Sequence, residues 1–173
     1  MVNIPGAEAN VRRCRRARAV VYLGLVLALP FSGLGQGTED FENLPPSATN
    51  YTARTWTGTD GVTWNALGAR TDQELNDRAI CFGNTAHNPR NVTSPVYANG
   101  MGVLSFTYVR GFTTGGGRTL QVWVNDVQQG PNITVDPNSD TPVVHTQTIS
   151  IVGNVQLQVR STGSAQVIVD DIS

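Results

Sequence analysis

Ala165-Gln-Val-Ile-Val-Asp-Asp-Ile-Ser173 is the stretch whose reading decides the fold. Val167, Ile168, Val169 and Ile172 place apolar, β-branched side chains on both faces of an extended chain. A strand of that kind belongs in the middle of a sheet, covered from both sides. Its natural counterpart is Glu39-Asp-Phe-Glu42, near the other end of the folded part. An acidic strand at each end predicts that the two meet, close the fold and share a cation.

Between these ends the chain is rich in Gly, Thr, Val, Asn and Ser, and no segment carries an amphipathic helical period; Asp72 to Ala79 has room for one helical turn at most. Short alternating runs separated by turn residues predict an antiparallel sandwich or barrel. The expected strands are Glu39–Glu42, Tyr51–Thr57, Val62–Ala69, Arg78–Phe82, Val96–Tyr97, Gly102–Arg110, Thr119–Asn125, Val143–Ile151, Val155–Ser161 and Ala165–Ile172. Three of them show their faces. Leu104, Phe106 and Tyr108, then Leu120, Val122 and Val124, then Val155, Leu157 and Val159 recur at every second position and point to the core. Gln121, Trp123, Gln156, Gln158 and Arg160 fall on the opposite face, which is polar but nearly uncharged.

The first 35 residues read as a signal peptide, leaving 36–173 as a single domain. Arg12, Arg13, Arg15, Arg16 and Arg18 form a basic leader to the apolar run from Ala19 to Phe31, and Gly33-Leu-Gly35 supplies small residues before a cut near Gln36. Thirteen residues of helix cover roughly 20 Å, short of a hydrocarbon core about 30 Å thick. No membrane insertion is therefore expected once the signal is removed, and the product is expected to be secreted or held at the cell surface. After the cut there remain seven arginines, no lysine and twelve acids, a net charge of −5. That balance argues against nucleic acid, whose binding rests on neutralising phosphates. Cys81 has no partner left in the chain and reads as a small buried hydrophobe.

The segments Asp40-Phe-Glu-Asn43, Tyr51, Thr57-Gly-Thr-Asp-Gly-Val-Thr-Trp64, Gly68-Ala-Arg70, Gly102-Val-Leu-Ser-Phe-Thr-Tyr108, Leu120-Gln-Val-Trp-Val-Asn125 and Gly163–Ile172 resemble secreted jelly-roll β-sandwich modules. These are the carbohydrate-binding-module, galactose-binding-like and MAM-like types, and the closer resemblance is to uncharacterised modules of secreted multidomain proteins of Bacteroidetes. The resemblance implies an all-β, antiparallel jelly-roll sandwich, a glycan or polysaccharide as ligand, and neighbouring domains of a larger protein as partners. It further implies a structural calcium between the two acidic ends, held by Glu39, Asp40, Glu42, Asp170 and Asp171. Calcium takes six to eight oxygen ligands, which carboxylates and backbone carbonyls supply.

A sugar offers an apolar ring face rimmed by hydroxyls, so its site pairs an aromatic platform with amides or a guanidinium. Trp123 with Gln121, Gln156, Gln158 and Arg160 has that composition. Tyr51, Trp56 and Tyr97 are a second candidate set at a sandwich edge. Trp64, following a tight turn, reads as core. Catalysis has little support. His87 and His145 stand in no metal-binding or nucleophile motif, and Asp40 with Glu42 lacks a facing catalytic strand. The expected protein is a non-catalytic binding module, with a structural or adhesive spacer as the alternative.

Overall fold

The computed structural model describes residues 37–113 and 115–173, together with Met1. The chain divides into two units, 1–31 and 32–173, and the fold described is that of the second. The expected signal peptide lies outside the described residues.

Among the described residues eleven strands follow in order: β1 Thr52–Thr57, β2 Thr63–Leu75, β3 Asp77–Phe82, β4 Asn91–Tyr97, β5 Met101–Arg110, β6 Thr119–Val124, β7 Val127–Gln128, β8 Ile133–Thr134, β9 Val143–Ile151, β10 Val155–Ser161 and β11 Val167–Asp170. All pairings are antiparallel and run in the order β7-β6-β10-β4-β2-β3-β11-β5-β9, with β1 also on β2 and β8 on β6. The long β2 belongs to both layers of this jelly-roll sandwich. Its first half, 63–67, lies between β1 and β4 in the front sheet, and its second half, 69–75, pairs with β3 in the back sheet. The transfer happens at Gly68, whose φ of +56° suits glycine, and where any Cβ would run into the carbonyls of His87 and Pro89.

The core fills the space between the sheets. Trp56, Trp64, Ala66, Val92, Leu120, Val122, Val124, Val155, Leu157 and Val159 come from the front, and Ala69, Ile80, Phe82, Leu104, Phe106, Val167 and Val169 from the back. The three alternating faces read from the sequence are thus the buried ones. All four residues of β11 are buried between β3 and β5, as its two-sided apolar pattern predicts. The ends meet: the Glu39 N–H donates to the Ile172 carbonyl at 2.8 Å, and the Ile172 N–H donates back at 2.9 Å. That exchange is an isolated bridge, not the four-residue strand expected over Glu39–Glu42. Phe41, at φ 61°, turns the chain out of the ladder after one pair.

The short β7 and β8 are not among the expected strands, and β2 and β4 differ from the sequence reading. Asp72–Leu75 continues β2 as strand instead of making a helical turn, with a bulge between Arg70 and Gln73 absorbing the misfit. β4 starts at Asn91, five residues before the expected Val96. Pro95 has no N–H to donate to a ladder. It sits instead in a bulge opposite Gln156–Gln158, where the Ser94 hydroxyl accepts the Leu157 N–H at 2.9 Å. The short hairpin from β6 to β7 turns on Asn125 and Asp126, both with positive φ, as a two-residue turn of this hand requires.

Two arginines are buried at the loops and bond to backbone carbonyls. Arg118, 1% exposed, donates to the carbonyls of Gln166, Gly116, Gly111 and Phe112. Arg90, 3% exposed, donates to the carbonyls of Gly83 and Gly163 and to the Asn88 side chain. Between them they tie down the Gly115–Gly117 loop and the turn before β11. A carbonyl held away from water needs such a donor.

Candidate functional site

The outer face of the front sheet is a registered polar surface. Gln128 on β7 pairs with Trp123 on β6, Trp123 with Gln158 on β10, Gln158 with Thr93 on β4, Thr93 with Asn65 on β2, and Asn65 with Thr55 on β1. Strands stand about 4.8 Å apart, so this one row extends for roughly 24 Å. A second row places Gln121 opposite Arg160 and Arg160 opposite Asn91. Alternation produces the surface. The same strands send Leu120, Val122, Val124, Leu157 and Val159 inward, so the residues between them face out.

Local bonds fix its geometry. The Arg160 guanidinium lies over the Trp123 ring, 4.0 Å from its centroid, and donates to Gln158 Oε1 at 2.7 Å and Asp126 Oδ1 at 3.0 Å. Trp123 Nε1 donates to Gln121 Oε1 at 3.0 Å, and Gln121 Nε2 to Asn132 Oδ1 at 2.8 Å. Gln156 turns aside, its amide donating to the Ser94 carbonyl at 3.2 Å. Four of the predicted residues, Gln121, Trp123, Gln158 and Arg160, are therefore one cluster. Thr55, Asn65, Asn91, Thr93, Gln128 and Asn132 complete the face but were missed. Reading β4 as starting at Asn91 would have found two of them; strand adjacency alone brings in the others.

The second predicted set does not assemble. Trp56 is a strand residue, 5% exposed, packed on Phe41 in the core with its Nε1 donating to Glu39 Oε1 at 3.0 Å. It is closed to a ligand. Tyr51 lies on the outside of the back sheet, against Leu75, Ala79, Cys81, Val109 and Ile168, its ring tilted 44° against that of His87 with centroids 4.4 Å apart and beside Arg70. Tyr97 packs toward the core, its hydroxyl donating to the Asp60 carboxylate; burial and that negative charge hold its pKa above the ordinary phenol value. It lines a cavity of about 560 Å³ at one end of the sandwich, with Trp64, Met101, Leu104 and Ile151. Three aromatics in three places cannot make one edge site.

The five acids share one pole of the domain but not one ligand set. Glu39 is fully buried, and its carboxylate accepts from Phe41 N at 2.8 Å, Trp56 Nε1 at 3.0 Å and Thr59 N at 3.1 Å. Burial nonetheless raises its pKa against the pull of those donors. It functions as a structural acceptor and is removed from the expected calcium set. Glu42 accepts from the Arg78 N–H, Asp40 from Glu42 N–H and the Thr59 hydroxyl, and Asp171 from the Asn76 amide. Asp170 is 2% exposed, and burial, reinforced by Asp171, Glu42 and Asp40, pushes its pKa up to about 7. Among the described residues, no three His, Cys, Asp or Glu converge as a metal would need.

The Cys81 thiol is buried and pushed up to about 12 by desolvation, which leaves it inert. His87 bonds to Asn84 and His145 to Gln147. No helix among the described residues is long and apolar enough to cross a membrane.

No family model matches the chain, and no curated protein matches it. Among solved structures, the K3 cleaved adhesin domain of Lys-gingipain from Porphyromonas gingivalis W83 is similar at a TM-score of 0.50 and 15% identity, covering 79% of this chain and 96% of that one. A family 35 carbohydrate binding module from an environmental isolate scores 0.48 at 12% identity, over 80% and 91% of the two chains. A family 6 carbohydrate-binding module scores 0.40 at 14% identity, over 80% and 92%. At such identities a likeness speaks to fold alone, and the K3 comparison agrees with the strand pairing: this chain is an antiparallel jelly-roll β-sandwich.

Proposed function

We propose that the domain is a non-catalytic carbohydrate-binding module whose site is the outer face of the front sheet. The observation that carries this is the registered row Gln128, Trp123, Gln158, Thr93, Asn65 and Thr55. Amides and hydroxyls at strand spacing present donors and acceptors along a line, which suits an extended chain of hydroxyl-bearing rings. The stacked pair of Trp123 and Arg160 supplies its apolar and cationic centre. The low charge of the face favours a neutral polysaccharide.

A glycan array followed by a polysaccharide pull-down tests the reading. The wild type is expected to retain a neutral polysaccharide, and Trp123→Ala to weaken retention tenfold or more, about 1.4 kcal/mol. Retention of no glycan, or retention untouched by Trp123→Ala, sinks it. The guanidinium already covering the indole favours a second reading, a structural spacer in which Trp123 is satisfied within the domain. An empty array with an unchanged fold supports that one.

Calcium enters as a matter of stability. Asp40, Glu42, Asp170 and Asp171 crowd one pole, and a divalent cation there would offset their repulsion. Calcium is expected to raise the melting temperature at neutral pH, and chelator to reverse the rise; a melting curve indifferent to both removes the ion from the description.

A further inference from the structure

The strands at the sheet margins are not equally protected. In the front sheet, β1 carries Arg54 beside a bulge at Thr52/Arg54, and β7 and β8 are two residues each. In the back sheet the second half of β2 carries Asp72 and Glu74, has its own bulge, and is met by the Ala48 carbonyl, which accepts the Thr71 N–H. Charges, bulges, brevity and cover are the devices that stop edge strands from pairing with other chains. β9, Val-Val-His-Thr-Gln-Thr-Ile-Ser-Ile over 143–151, is different. It is nine residues long, holds no Asp, Glu, Lys, Arg or Pro, and pairs on one side only, with β5. Among the described residues, no backbone hydrogen bond from β9 goes elsewhere.

We infer that β9 is a self-association edge, pairing antiparallel with β9 of a second copy of this chain. The occupant follows from charge and register. The strand is uncharged, so two copies meet without like-charge repulsion. Ser150, at φ 56°, lies in the bulge at the far end, where the register to β5 shifts after Thr148, and leaves 143–148 as the regular segment. A two-fold axis at Thr146 keeps five residues within the regular segment: Val144 faces Thr148, His145 faces Gln147, and Thr146 faces itself. Every pair keeps to one face, as an antiparallel ladder demands, and β-branched pairs of this kind are favourable across strands. Val144, Thr146 and Thr148 are exposed, and Val103 on the adjacent β5 is 58% exposed. The two back sheets would join into one, leaving both front faces free. The inference therefore stands or falls apart from the glycan reading.

Sedimentation velocity over a concentration series tests it. Wild type is expected to shift from monomer to dimer as concentration rises. Thr146→Lys and Thr146→Glu, which place like charges across the axis, are each expected to stay monomeric with a melting temperature near that of wild type. An equimolar mixture of the two is expected to dimerise, because Lys then faces Glu. A wild type that stays monomeric throughout leaves this edge to a strand of some other protein and overturns the inference. A Thr146→Lys chain that dimerises as wild type does, or a mixture that stays monomeric, overturns it equally.

Discussion

Arg118→Ala is expected to lower the melting temperature by more than about 10 °C, the largest single effect on this domain apart from deletions in its core. Arg118 sits almost entirely out of water and, among the described residues, donates to the backbone carbonyls of Gly111 and Gln166 and to those of the exposed Gly116 and Phe112. Each buried acceptor left without a donor costs about 1–3 kcal/mol. The Gln166 carbonyl keeps the Gly111 N–H at 2.9 Å, which softens its share. The carbonyls of the exposed Gly116 and Phe112 can turn to water, so a loss of about 2–4 kcal/mol remains, against a total stability of about 5–15 kcal/mol for a domain. Burial lowers the pKa of the guanidinium, but arginine stays charged in proteins and presents five donors in a plane. Lysine has three donors at one point, so Arg118→Lys is expected to recover less than half of the loss. Thermal melts by circular dichroism are the measurement. An Arg118→Ala protein melting within about 3 °C of wild type would mean that the loop is held by other contacts.

Asp170→Asn is expected to stabilise the domain at pH 8 and to flatten its pH dependence. Asp170 closes the last strand at 2% exposure and has its pKa lifted to about 7 from an ordinary value of 3.8. Burial is the main cause, and the charges of Asp171, Glu42 and Asp40 add to it. Between these two values the folded state holds a proton that the unfolded chain has released. The contribution of Asp170 to stability is therefore greatest below about pH 4, falls as pH rises toward 7, and levels off above that. A shift of that size corresponds to at most about 4 kcal/mol. Asparagine keeps the oxygen that accepts the Asp171 N–H and never ionises, so the variant should lack this downward slope and be the more stable protein at pH 8. Urea melts across the pH range, in chelator, make the comparison. A wild type whose stability does not fall from pH 4 to 7, or an asparagine variant with the same slope, would show that Asp170 ionises freely.

Strand identity was legible wherever a run was long and alternated cleanly. Val155–Ser161 ends where the sequence pattern ends it, and Val155, Leu157 and Val159 are buried as period 2 requires. The reading failed where one residue type admits two structural uses. Pro95 normally breaks a ladder, yet a bulge with a serine hydroxyl as substitute acceptor accommodates it inside β4. Asp72–Leu75 is polar enough for a turn but is held as strand by pairing with β3. Within the candidate site, Trp123, Gln121, Gln158 and Arg160 could be grouped because they lie on two strands with visible alternation. Trp56 misled because an aromatic beside Thr and Gly turn residues looks exposed; its burial depends on Glu39, seventeen positions away, accepting its indole N–H.

By itself the sequence determined the class of fold and the parity of its strands. Those properties rest on spacing along the chain: a two-residue period, positive-φ turn residues, and apolar side chains on both faces of 165–172. Tertiary structure decided which strands are neighbours, and with that the row from Gln128 to Thr55, the removal of Glu39 from the acidic set, and the uncovered edge at β9. Pairing partners and desolvation depend on residues far apart in the chain, and no local pattern encodes them. The closing strand shows both sides. Its apolar residues announced a central strand, while the proton on Asp170 follows from the burial and the neighbouring acids that folding brings around it.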